Sequence, residues 1–251
     1  MNLRMRLRQP EPFLVTFSII AAMEVVEMAA LAGFDGIILD TEHAAHGIES
    51  LPPLIAAARS RGIYPIARVR ANDPSLIGAA LDAGAAGVMV PQIGSAAQAK
   101  AAVSAARFSP SGARGANPWV RAADFGSDAR WFERANQEAA IILLIEGAAG
   151  IEALQDIAPI PDLDAVFLGP MDLSHSLGVP GETEHPKVLQ AIADAVRHTE
   201  ERRIRSGVFT PHASKVQSWV DRGVRFVAVS IDTIIIKRAF ERVVAEAKGR
   251  A

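Results

Sequence analysis

The chain has 251 residues, half of them hydrophobic, with 26 basic against 28 acidic side chains and no cysteine. This length suits a single (β/α)8 barrel of about 250 residues, and the apolar half can fill a large core without disulfides. A formal charge of −2 gives no general attraction to nucleic acid or to an anionic membrane, and the absence of cysteine excludes a thiolate nucleophile or thiolate metal cluster.

In chain order, the first eight residues alternate basic and apolar side chains but lack the apolar core of a signal peptide, so they read as a short capping segment. Strand 13–17 and helix 22–32 follow, then strand 35–40 and helix 49–60, strand 64–69 and helix 74–83, and strand 87–91 and helix 95–106. The insert 107–138 breaks the rhythm and reads as a long functional loop. Strand 140–145 and helix 149–157 resume it, before strand 164–169 with helix 186–202, strand 204–209 with helix 213–222, and strand 225–230 with helix 232–248. Several strands are continuous apolar runs, as expected when both faces are covered. Gly33, Gly84 and Gly223 mark helix ends, and Asp73-Pro74 a helix start. Alternating strands and helices imply a parallel sheet, and eight units imply closure: one α/β domain, a (β/α)8 TIM barrel spanning 1–251, with a doubly wound open sheet as runner-up. No apolar stretch approaches the roughly 18 residues of a membrane span, so a cytoplasmic protein is expected.

Chemistry concentrates where strands end. Ile141 to Ile145 leads into Glu146, Ala165 to Met171 leads into Asp172, and Gly36 to Leu39 leads into Asp40-Thr41-Glu42-His43. Glu146 and Asp172 lie one strand–helix unit apart, on adjacent strand ends where a barrel displays its active face. Either acid alone could simply cap the following helix; together they read as oxygen ligands for Mg²⁺ or Mn²⁺, with Co²⁺ as a substitute. His43 is placed to move a proton, with Asp40 fixing its tautomer, whereas His46 reads as a surface loop residue. Arg68 and Arg70 both follow the apolar start of strand three, and a period of two puts them on one side, so the pattern does not choose between them. A guanidinium there could hold an enolate oxygen or form an internal salt bridge. The five lysines, Lys100, Lys187, Lys215, Lys237 and Lys248, all fall in helices, which leaves no Schiff-base candidate at a strand end. Gly169-Pro170-Met171-Asp172 forms a tight turn whose N–H groups could receive a small carboxylate.

Asp40-Thr41-Glu42-His43, Arg68, Glu146 and Gly169-Pro170-Met171-Asp172-Leu173-Ser174 together resemble the HpcH/HpaI aldolase family of metal-dependent class II pyruvate aldolases, over about residues 12–245. The resemblance implies a modified TIM barrel whose last helix is exchanged with a neighbouring subunit, in a homo-hexamer built as a trimer of dimers. It implies a divalent cation held by Glu146 and Asp172, Arg68 rather than Arg70 on the keto oxygen, His43 partnered by Asp40 as acid and base, and Asp82 reaching a neighbouring site. Leu144 departs from the glutamine common in the family. The implied reaction is reversible cleavage of a 4-hydroxy-2-oxo acid to pyruvate and an aldehyde. The alternatives are oxaloacetate decarboxylation, another enolate acceptor at the same site, or a non-catalytic oxo-acid-binding barrel.

Overall fold

The computed structural model describes residues 2–250. Helix α1 (Leu3–Leu7) precedes β1 (Phe13–Ser18), followed by α2 (Met23–Leu31), β2 (Gly36–Asp40), α3 (Leu51–Ser60), β3 (Tyr64–Arg68), α4 (Pro74–Asp82), β4 (Gly87–Val90) and α5 (Ala96–Ala106). The second half continues with α6 (Trp131–Glu138), β5 (Ala140–Ile145), α7 (Ala148–Glu152), α8 (Leu154–Ile157), β6 (Ala165–Leu168) and α9 (Pro170–Ser176). It ends with α10 (Pro186–Glu201), β7 (Arg205–Thr210), α11 (Val216–Asp221), β8 (Phe226–Ile231) and α12 (Asp232–Ala247). The strands pair in parallel in sequence order, and β1 closes on β8 as a barrel.

The period of two along each strand sorts side chains between two cores. On β5, Ile142 and Leu144 point into the barrel beside Phe17, Ile66 and Phe167, while Ile141, Leu143 and Ile145 face the surrounding helices. Burying each such side chain contributes about 1.5–3 kcal/mol. The same alternation carries Asp40 after Ile38, and Arg68 after Ile66, into the top interior layer, where the β2–β3 register sets them side by side.

The capping segment is a helix. Asn2 accepts from the Met5 N–H at 2.9 Å as its N-cap, and Leu3 and Leu7 join the inner core from the N-terminal end of the barrel. Beside them, buried Asp164 binds Arg4 at 2.7 Å and Arg107 at 3.1 Å. Burial pulls the Arg107 guanidinium down to about 10, against the opposing charge of Asp164.

Four sequence expectations differ from the fold. The insert 107–138 is not irregular throughout, because it contains a 3-10 segment at Arg121–Gly126 and α6, gathered by Phe108, Ala123 and Trp131. Helix 149–157 is broken at Ala153 into α7 and α8. Helix 213–222 begins as a 3-10 turn, Ala213–Lys215. The residues after the Gly169-Pro170 turn, left without a helix before 186–202, form α9, since a proline at the first helical position gives up an N–H that would have no intrahelical partner. No helix among the described residues is long and apolar enough to cross a membrane.

Candidate active site

One cavity of about 160 Å³ gathers Arg68, Glu146, Gly169, Pro170, Met171 and Asp172 at the C-terminal ends of β3, β5 and β6. Arg68 is there because β3 ends with it, inward-facing and 11% exposed. Its Nε and Nη2 donate to buried Asp40 at 2.9 and 2.5 Å, its Nη1 stands 3.2 Å from Glu42, and its guanidinium lies 4.8 Å above the Phe17 ring. Arg70 falls beyond the strand end and donates to the Thr41 and His46 carbonyls, pinning the loop after β2. The choice between the two arginines is therefore made where strand pairing stops.

Asp40 does not partner the His43 imidazole. Its Oδ1 accepts the backbone N–H groups of Glu42 and His43 at 2.9 and 3.3 Å, and the rest of the carboxylate is committed to Arg68. The acid near the ring is Glu42, 4.0 Å from His43 Nε2. His43 itself stands at the mouth, with 69% of its side chain exposed. His46 is structural, held between Ser50 and the Ile19 carbonyl.

Glu42 and Gln92 are the site residues whose roles the sequence left unassigned. Gln92 donates its backbone N–H to Glu146 at 3.0 Å and its side-chain amide to Glu42 at 3.3 Å, from a left-handed backbone with φ 57°. A polar residue directly after the apolar run of β4 obeys the strand-end rule that exposed Glu146. Strained backbone at such a place is characteristic of functional sites. Gly169 leaves room for its neighbour, because a Cβ there would stand 3.1 Å from Glu146 Cβ and 3.3 Å from Oε2 and would push the Glu146 side chain by a few tenths of an ångström. Asp82 is engaged within its own chain, accepting from Arg114 at 2.6 Å.

The acids of the mouth crowd one another. Burial, then the charges of Glu42 and Asp172, push the Glu146 carboxyl up to about 7. Burial also raises Glu42 against the pull of Arg68, and Glu42 Oε2 is buried without a properly aligned hydrogen bond. Three acids thus crowd one mouth around a single guanidinium. Glu146 and Asp172 would offer a divalent ion two carboxylate ligands from adjacent strand ends, a donor set that fits such an ion. Among the described residues no cluster of three or more His, Asp or Glu is arranged as a metal cage, so the remaining ligands would be substrate oxygens and water, as Mg²⁺ prefers.

The family model for HpcH/HpaI aldolase/citrate lyase matches residues 14–239. The chain belongs to that family. It is 36% identical over 243 residues to the 2-dehydro-3,6-dideoxy-6-sulfogluconate aldolase of Pseudomonas putida, covering 97% of this chain and 95% of that one. It is 33% identical to the hydroxypyruvate/pyruvate aldolase of Pseudomonas aeruginosa, covering 99% and 93%. Among solved structures, an HpcH/HpaI aldolase/citrate lyase family protein from Burkholderia cenocepacia superposes with a TM-score of 0.94 at 32% identity, covering 98% of each chain. The citrate synthase SbnG superposes at 0.89 with 29% identity, covering 99% and 98%. This HpcH/HpaI member is accordingly an enzyme, a carbon–carbon lyase of the aldolase type.

Proposed function

We propose that this barrel reversibly cleaves a 4-hydroxy-2-oxo acid into pyruvate and an aldehyde, with Glu146 and Asp172 as ligands of Mg²⁺ or Mn²⁺ and Co²⁺ able to substitute. The supporting observation is the shared cavity that sets both acids beside Arg68. When bound, the cation would supply Lewis-acid stabilisation of the negative charge that develops on the oxo acid. Arg68 presents the one guanidinium arm that Asp40 does not take, Nη1, which it shares with Glu42 at 3.2 Å, and the group is held against Phe17 so that little reorganisation is needed as charge grows. The Gly169 to Asp172 turn receives the substrate carboxylate. His43 takes the C4 hydroxyl proton during cleavage and passes it to carbon 3 of the enolate, so that pyruvate leaves; synthesis runs both transfers in reverse, with Glu42 beside the ring. Asp40 serves by positioning Arg68 and the backbone of His43.

Incubation with Mn²⁺, pyruvate and a panel of small aldehydes tests this reading. Adducts should form only with metal and should vanish in Glu146→Ala. Turnover that survives that substitution would contradict the assignment.

A second reading keeps the site and changes the reaction, the same enolate meeting a different acceptor or arising by oxaloacetate decarboxylation; the likeness to a citrate synthase supports the acceptor change, since citrate synthesis joins an enolate to a keto acid rather than to an aldehyde. Rates with oxaloacetate against a hydroxy-oxo acid decide between them. We place the enzyme in the cytoplasm, as a hexamer built from dimers in which α12 packs on a neighbouring subunit. In support, α12 contacts its own barrel chiefly at β1 and β8 and leaves Phe240, Val243 and Val244 exposed.

A further inference from the structure

The active-site cavity is polar only where Arg68, Glu146 and Asp172 meet. The rest of its wall is formed largely by Phe17, Leu144, Phe167, Phe209 and Ile231, none of which offers a side-chain hydrogen-bonding atom. This wall is fixed in place. Phe17 meets Phe167 and Phe209 edge-on at centroid distances of 6.3 and 5.8 Å, and Leu144 pairs in register with Phe167 across β5 and β6. Leu144 Cδ1 reaches to 3.7 Å from the position a Cβ on Gly169 would take, at the foot of Glu146.

The polar groups already have partners. Two arms of Arg68 serve Asp40, and Glu146 Oε1 accepts from Gln92. On the aldolase reading, what remains of them is taken by the carboxylate and oxo oxygens of the donor. A donor hydroxyl turned toward this wall would then meet hydrocarbon with no partner, and burying an unpaired hydroxyl is unfavourable.

We infer that Leu144 is a specificity-determining residue that makes the site discriminate against a hydroxyl at carbon 3 of the 2-oxo acid donor, so that pyruvate and 2-oxobutanoate are taken over hydroxypyruvate. This rests on the aldolase reading and narrows its substrate class. It also separates this enzyme from the relative named as acting on hydroxypyruvate. An apolar pocket rejects an added hydroxyl by about 10- to 100-fold, and that is the range expected in kcat/KM.

The test uses the full chain with Mn²⁺, propanal as acceptor, and pyruvate, 2-oxobutanoate or hydroxypyruvate as donor. Pyruvate and 2-oxobutanoate should exceed hydroxypyruvate by about ten-fold or more. Leu144→Gln, which adds a donor and an acceptor to the wall, should shrink that ratio by about ten-fold, whereas Leu144→Met should preserve it. Hydroxypyruvate matching pyruvate, or an unchanged ratio in Leu144→Gln, overturns the inference. Calorimetric binding of each donor to the unsubstituted enzyme, without acceptor, does not depend on how the variants fold. If no donor reacts, the aldolase reading fails, yet tighter binding of pyruvate than of hydroxypyruvate still supports the pocket chemistry and equal binding overturns it.

Discussion

Glu146 is ionised in the unfolded chain above about 4.5 but holds its proton up to about 7 in the metal-free fold. The folded protein therefore binds the extra proton between those values. The stability this confers is complete below the lower one and is lost as pH rises through the higher. Urea denaturation of metal-stripped protein should show stability falling across that window, a slope that Glu146→Gln removes. Because the proton must leave before a cation binds, Mn²⁺ affinity should rise with pH over the same range, read by calorimetry. The placement of Glu146 and Asp172 at one cavity was legible in the sequence because each is an acid following an apolar strand run. The role of Asp40 was not legible, since nothing in Asp40-Thr41-Glu42-His43 says which acid faces the ring. That depends on Arg68 arriving from β3 to claim Asp40, a contact across 28 residues.

At the scale of elements, Gly207 shows how tightly β7 is fitted to the barrel interior. A Cβ there would lie 2.5 Å from a Phe167 ring carbon and 2.9 Å from one of Phe226. Gly207→Ala should destabilise the fold by about 1–3 kcal/mol through overpacking, measured by the denaturation midpoint, with Phe167 displaced toward the active-site wall. The strands were readable because barrel strands, covered on both faces, stay apolar from end to end; β5 matches its expected span of 140–145 residue for residue. Elements held by tertiary contacts were harder to read. The helix α6 sequence Trp-Phe-Glu-Arg-Ala-Asn-Gln-Glu has few apolar positions, and it is secured by Trp131 and Phe132 packing edge-on or tilted against Phe108 and each other. Arg114, 4.4 Å over the Phe108 ring, ties that insert to Asp82 at the end of α4.

For the molecule as a whole, the two ends of the barrel divide the labour. The N-terminal end is closed by α1 and by Arg4 and Arg107 paired with Asp162 and Asp164. The C-terminal end keeps four acids crowded around the single guanidinium of Arg68, a stability cost that a bound cation would offset. Along α12, Phe240 is 68% exposed and Val243 59%, and apolar side chains spaced this way on one helix suit a partner surface. Phe240→Asp with Val243→Asp should lower the assembly mass measured by light scattering while leaving the barrel folded; an unchanged mass would remove α12 from the interface. The central claim is that Glu146 and Asp172 together make the metal site at which pyruvate loses a proton from carbon 3. Exchange of the pyruvate methyl protons in D₂O, followed by proton NMR without any aldehyde, tests it directly. The methyl signal should decay with Mg²⁺ and enzyme, stop decaying on adding a chelator, and persist undiminished in Glu146→Ala and Asp172→Ala. Exchange that continues with chelator present, or in either variant, would contradict the account.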